Sequence, residues 1–384
     1  MSSILKVFFR RFKNFLFRLS YYSACLLPIN KKLITFVSES RDELSGNLQF
    51  LNEELNRPEY PFVRRFFLKK TIAEPKSLSY LLSLGFSLGR SRYIIIDDFL
   101  PRVNQLRIRK KADLVQLWHA VGAFKKFGYS RMGLPGGPSK NSKHHKNYTM
   151  VFVSSQSVVR YYSEGFSIDE GRIFPFGVPR TDLFFDRKKI EKIGKLVYSE
   201  NRIPIEKKII LFAPTFRGKG QRSADYNFDW INLKLMYDSL YKKGYFLILK
   251  FHPFINRKII IPNYMNDFII DLSDYREINN LLFVADILIT DYSSVIFEFG
   301  LLGKKQIFYA PDLEEYVSSR GFYQEYEKFV PGRIAKDMAT LIHCICSEND
   351  ELTSEKVTNF NKTYIDNLDG NSSKRIAHFL FKNI

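Results

Sequence analysis

The chain has 384 residues, 45% of them hydrophobic, which is enough for about two domain cores. Its net charge of +19 favours anionic partners such as acidic lipid, nucleotide or nucleic acid. Three cysteines, Cys25, Cys344 and Cys346, exclude a disulfide framework and make a zinc site unexpected, and no run reaches the ~18–20 apolar residues that span a bilayer. A reduced, cytosolic setting is therefore expected.

The first predicted element is an amphipathic helix within residues 1–28. Leu5, Phe8, Phe12, Phe15 and Leu19 recur at helical spacing, with Lys6, Arg10, Arg11, Lys13 and Arg18 between them. The run Phe8-Phe9-Arg10-Arg11-Phe12-Lys13 interrupts any signal-peptide core. The pattern predicts a helix lying in a membrane surface, with Phe8, Phe9, Phe12 and Phe15 toward lipid and Lys6, Arg10 and Arg11 toward anionic headgroups. The competing reading is a helix packed on the protein's own body.

Strand and helix then alternate. Apolar runs at 33–37, 62–68, 93–96, 114–117, 150–153 and 172–176 read as strands, with helical stretches at 47–55 and 78–88 among them. A charged, helix-prone connection covers 186–208. A second series of strands follows at 208–212, 246–250, 268–270, 287–289 and 307–309. Such alternation predicts an α/β fold with parallel sheets in two doubly wound domains, 30–190 and 205–384, and a crevice between them. Ligands in such sheets bind outside the carboxyl ends of strands. Residues 133–146 read as a basic, Gly/Pro-rich loop.

The strand ends carry the chemistry. Ile287-Leu288-Ile289-Thr290-Asp291-Tyr292-Ser293-Ser294 reads as a buried strand, a polar turn and a helix start capped by Ser293 or Ser294, an arrangement suited to phosphate. Asp291 stands beside it as an acceptor. His119 ends the strand at 114–117, and His252 holds the equivalent place after 246–250. Two histidines facing one crevice suit general acid–base work near neutral pH. Arg217 and Lys219 follow the strand at 208–212 and suit a diphosphate. Arg180 can do likewise or pair with Asp182. His144 and His145 fall in the basic loop, where exposure to solvent is expected.

Trp118-His119-Ala120, Gly177-Val178-Pro179-Arg180-Thr181-Asp182, Ala213-Pro214-Thr215-Phe216-Arg217, His252-Pro253, Thr290-Asp291-Tyr292-Ser293-Ser294 and Arg320-Gly321-Phe322-Tyr323 occur in that order. As an ordered set they resemble the CDP-glycerol glycerophosphotransferase family of teichoic acid and capsule synthesis. The resemblance implies a GT-B-like arrangement of two Rossmann-like domains, with acceptor on the first and cytidine nucleotide on the second. It implies transfer of glycerol phosphate from CDP-glycerol to a hydroxyl of an undecaprenyl-diphosphate-linked saccharide, releasing CMP. Polymerases of the family typically carry Trp-His-Gly-Thr. The variant here, Trp118-His119-Ala120-Val121-Gly122, looks more like the priming enzymes. A CDP-ribitol donor or a polymerising role are the alternatives within the family.

The expected mechanism is one in-line displacement at the β-phosphorus. His119 takes the proton of the attacking hydroxyl, while His252, Arg217 and the helix start at Ser293/Ser294 stabilise the diphosphate and the leaving CMP. Asp291 orients a histidine or a polyol hydroxyl. The expected substrate-binding set is Arg180, Thr215, Arg217, Lys250, Thr290, Ser293, Ser294, Glu298 and Arg320. No cofactor is expected and no obligatory metal, because the crevice turns lack an Asp-x-Asp motif. The expected location is the cytoplasmic face of the cell membrane, held peripherally. A sugar-nucleotide glycosyltransferase on the same architecture is the reading from another class. Nucleic-acid binding is not expected, since most aromatics sit in apolar strand runs and no basic-aromatic surface repeat occurs.

Overall fold

A computed structural model describes residues 3–218, 223–348 and 351–381. The first half runs α1 (Ser3–Leu26), β1 (Asn30–Ser38), α2 (Gly46–Glu54), β2 (Val63–Leu68) and α3 (Leu78–Arg90). It continues with β3 (Ser91–Ile96), β4 (Asp113–Gln116), β5 (Met150–Phe152), α4 (Val159–Phe166) and β6 (Ile173–Phe174). The expected connection forms helix α5 (Arg187–Asn201), capped by the Asp186 carboxylate, which accepts from the Lys189 amide.

The second half holds β7 (Lys208–Phe212), α6 (Leu233–Leu240), β8 (Tyr245–Leu249), β9 (Ile269–Asp271), α7 (Ile278–Val284) and β10 (Ile287–Thr290). After these come α8 (Val295–Gly300), β11 (Lys305–Tyr309), α9 (Leu313–Arg320), α10 (Tyr326–Phe329) and β12 (Arg333–Ala335). Helices α11 (Met338–Cys346), α12 (Glu351–Tyr364) and α13 (Ser372–Phe381) complete the described chain.

The strands make two six-stranded sheets, β2-β1-β3-β4-β5-β6 and β12-β11-β10-β7-β8-β9. Every pairing is parallel. Strands covered on both faces need continuous apolar runs, and β8 and β10 are buried at every residue. Strand order reverses between β1 and β3 in one sheet and between β7 and β10 in the other, so crevices open at those carboxyl ends. This is the GT-B-like fold expected from the sequence. The sequence reading missed β12, whose Arg-Ile-Ala is too short and mixed to signal a strand.

The last helix crosses back to the first lobe. Ile376, Ala377, Leu380 and Phe381 form an apolar face in the first sheet's core, and the Phe381 ring packs on Phe62 at 4.5 Å and Tyr93 at 4.9 Å. Asp182, an expected partner for Arg180, instead caps this helix and accepts from the Ser372 and Ser373 amides at 2.8 Å each. Residues 372–381 therefore pack with the first lobe, although the expected second domain ran to 384.

Helix α1 has two apolar faces. Phe17, Tyr21 and Ala24 are buried on α3. The backbones approach so closely that a Cβ on Gly85 would stand 2.6 Å from the Phe17 carbonyl oxygen. The other face is bare: Phe8 is 63% exposed and Phe15 59%, with Phe9, Phe12 and Leu19 beside them. Arg10, Arg11 and Arg18 are exposed between them. Helix α3 adds Leu78, Leu82 and Phe86, exposed at four-residue spacing. The Lys6 side chain lies outside the described residues, as does Lys219.

Candidate active site

A cleft of about 470 Å³ opens between the two sheets. The turn after β4 brings His119 to it, the turn after β7 brings Thr215, and the turn after β8 brings His252. Arg180, Lys250, Ser293, Ser294 and Glu298 also line it.

His119 owes its position to a strained turn. Trp118 has φ +57°, a left-handed conformation costly for a bulky residue. Hydrogen bonds hold it there: the Trp118 amide donates to Gln116 Oε1 at 2.7 Å, and buried Asn47 Nδ2 donates to the Trp118 carbonyl at 2.7 Å. Asn47 Oδ1 also accepts the Arg180 amide at 3.0 Å, tying the two cleft turns together. Gly122 has φ +67°, and a Cβ there would strike Phe297 of the second lobe at 2.2 Å.

The His119 side chain is 45% exposed, and its Nδ1 stands 3.5 Å from Asp98 Oδ1. Burial raises the pKa of the Asp98 carboxyl, but the charge and hydrogen bond of His119, with the Phe99 amide, outweigh this and hold it below the usual range. A carboxylate beside Nδ1 favours a proton there and leaves Nε2 able to accept one.

His252 differs. Its Nδ1 accepts from the Phe254 amide at 3.1 Å, and its ring packs on Phe216 at 4.7 Å. Burial, with Lys125 and Lys250, pushes its pKa down to about 4. At neutral pH it is an uncharged imidazole whose Nε2–H is free to donate.

Arg180 and Glu298 form a hydrogen-bonded ion pair across the lobes, with Glu298 only 1% exposed. Among the described residues, Arg180 Nε, Glu298 Oε2 and Thr215 Oγ1 are buried without hydrogen-bond partners. Buried polar atoms cost free energy when unpaired. All three residues line the cleft.

The sequence profile of the family described as CDP-Glycerol:Poly(glycerophosphate) glycerophosphotransferase matches residues 19–382. The chain belongs to this family. It is 47% identical over 96% of its length to the teichoic acid poly(ribitol-phosphate) polymerase of Bacillus spizizenii, and spans 59% of that relative. It is 36% identical to the teichoic acid ribitol-phosphate primase of the same species, over 98% of both chains. The teichoic acid glycerol-phosphate primase of Bacillus subtilis is 33% identical over 80% of this chain and 78% of its own. The fold is close to that of the wall teichoic acid polymerase TagF, with a TM-score of 0.79 at 22% identity over 99% of this chain and 95% of that one. Among the described residues, no helix is long and apolar enough to cross a membrane.

Not every residue expected at this family member's site reaches the cleft. Asp291 is fully buried and accepts from the Thr215 amide at 2.7 Å and from Arg217 Nη1 at 2.9 Å. It shapes the β7 turn and, among the described residues, bonds no histidine. Arg217 also grips Asp312 through Nε at 2.7 Å and Nη2 at 2.8 Å, and its guanidinium lies about 5.0 Å from the Tyr292 and Tyr316 rings. Two carboxylates and the neighbouring rings hold it out of this cleft, in the lining of a separate pocket. Thr290 donates its hydroxyl to the Ala213 carbonyl at 2.7 Å, joining the ends of β10 and β7. Arg320 donates to the Gly218 carbonyl and lines a separate pocket with Arg131. Ser293 Oγ accepts from the Val295 amide at 3.3 Å, while Ser294 makes no side-chain cap, on a helix of six residues.

Lys250 donates to the Ser273 carbonyl at 2.9 Å, so its ammonium is partly spent. His145 is buried and hydrogen bonded to the Tyr148 hydroxyl at 2.9 Å, not exposed as the loop composition suggested. Sequence reasoning missed Asp98, Asn47 and Lys125. Asp98 stands just past the strand at 93–96, where the strand-end rule applied elsewhere would have found it.

Proposed function

We propose that this protein transfers a polyol phosphate from a CDP-polyol to a hydroxyl of a polyprenyl-diphosphate-linked acceptor in teichoic acid synthesis. The observation that carries this reading is the pair of unlike histidines on opposite lobes of one cleft. His119 Nε2 takes the proton of the acceptor hydroxyl. The freed oxygen bonds to the donor's β-phosphorus, and the bond from that phosphorus to the bridging oxygen breaks, so CMP leaves with the electron pair. Neutral His252 donates a hydrogen bond to the charge that develops. Glu298 Oε2 accepts from a polyol hydroxyl of the CDP-polyol, and Thr215 Oγ1 donates to one of its phosphate oxygens.

The sequence motifs alone favoured CDP-glycerol and priming. The relatives at 47% and 36% identity are named for ribitol phosphate and the one at 33% for glycerol phosphate, so the donor favoured here is CDP-ribitol. The turn Trp118-His119-Ala120 keeps CDP-glycerol priming as the second reading. Paired assays on one lipid-linked acceptor test the choice. A kcat/KM at least about tenfold higher for CDP-ribitol is expected, since a site built to bond a hydroxyl strongly rejects an analogue lacking it. A higher value for CDP-glycerol restores the second reading.

The bare face of α1, continued by Leu78, Leu82 and Phe86, supports a peripheral seat on an anionic membrane, where the lipid-linked acceptor resides. Truncating the helix would also remove buried Phe17 and damage the core. Phe8→Ser, Phe12→Ser and Phe15→Ser together spare the buried face. This variant should keep the wild-type melting temperature and lose at least about tenfold in binding to anionic vesicles, given roughly 1.5–3 kcal/mol for burying each large apolar side chain. Wild-type cosedimentation would move the membrane contact to another surface.

A further inference from the structure

Among the described residues, five cations line the cleft: Lys125, Lys126, Arg180, Lys250 and Arg276. Arg180 is paired with Glu298, and Arg276 spans the rim to Asp42 at 2.9 Å and Glu43 at 3.2 Å. Lys250 is bonded to a carbonyl, and Arg217, the residue expected to meet the diphosphate, is locked between Asp291 and Asp312. Lys125 and Lys126 remain, neither in an ion pair among the described residues, and of the two only Lys125 has its ammonium placed against a side chain of the second lobe. Its Nζ reaches the Tyr316 hydroxyl at 3.5 Å and makes no ion pair among the described residues. Its backbone is fixed, because Lys125 forms an antiparallel bridge with Phe322 of the second lobe, and the next amide, of Lys126, donates to the Gly321 carbonyl at 3.1 Å. A half-buried cation in a cleft, with no ion pair among the described residues, lacks the close partner that buried charges require.

We infer that Lys125 is the cation that binds the diphosphate of the nucleotide donor, facing His252 across the cleft. This rests on the cytidine-nucleotide reading above and names the residue that takes the ligand's charge. Lys125 comes from the acceptor-side lobe, so the lobes grip the diphosphate together: ammonium from one, imidazole N–H from the other. A phosphoryl group so held stays stabilised as charge moves from the bridging oxygen to CMP.

The surroundings agree. Burial brings the Lys125 ammonium down to about 8, Asp291 opposes the fall, and Arg320, Arg217 and Arg131 add to it. The charge of this ammonium also helps to lower the pKa of His252, which lines the same cleft. A bound anion favours the charged form and raises the pKa again. Diphosphate affinity should therefore be full below pH 8 and decline as pH rises through and above it, by up to about tenfold per unit.

Titration calorimetry with CDP and with cytidine tests the assignment. At pH 7, Lys125→Met should bind CDP about tenfold or more weakly and cytidine as wild type does. Lys125→Arg should retain CDP binding and lose the decline above pH 8. Equal CDP affinity in wild type and Lys125→Met overturns the inference, and so does an equal loss for cytidine and CDP, which would mean general damage to the cleft. Failure of the wild-type protein to bind CDP at all overturns the cytidine-nucleotide reading itself, and this inference with it.

Discussion

His119→Ala is expected to lose about 10²–10⁴ in turnover, the range for removing a general base. The loss should fall on the chemical step. His119 is nearly half exposed, packs on Trp118 at 4.3 Å, and has its Nδ1 3.5 Å from Asp98, so folding does not depend on it. CDP affinity should be unchanged, because the residue serves the acceptor. Asp98→Asn should lose less, about tenfold, since the amide can still orient the ring but cannot favour the imidazolium that forms. More than half of wild-type turnover in His119→Ala would remove the residue from the mechanism.

Arg217→Met should act on stability. The guanidinium is the shared partner of Asp291, which is fully buried, and Asp312, which is nearly so. Removing it leaves two carboxylates uncompensated away from water, and breaking a buried pair from one side costs about 3–5 kcal/mol. Chemical denaturation should show that loss with the m-value unchanged. A diphosphate-binding arginine would give the reverse pattern, wild-type stability with weakened CDP binding.

The contrast between these residues marks what the sequence could reveal. His119 and His252 were legible because each follows an apolar strand run, and the carboxyl ends of parallel strands face the crevice. Two parallel sheets followed from the same runs. Arg217 and Asp291 obeyed that rule in sequence and departed from it in space. Their turns are close enough to bond each other, and Asp312, at the end of another strand, completes a buried triad that no local pattern announces. Lys125 lies on a segment with no regular periodicity, and its place in the cleft depends on the cross-lobe bridge to Phe322. The return of helix α13 to the first sheet was not legible, because an apolar face does not name the surface it covers.

The most direct test of the central claim is the nucleotide released when the protein acts on a lipid-linked teichoic acid acceptor. Purified protein, acceptor and CDP-ribitol or CDP-glycerol are incubated, and the cytidine product is separated from each mixture. Transfer at the β-phosphorus predicts one CMP for each polyol phosphate gained by the acceptor, with CMP formation lost in His119→Ala. Release of CDP, or transfer of a sugar from a nucleotide sugar with none from either CDP-polyol, would contradict the account and assign the cleft to glycosyl transfer.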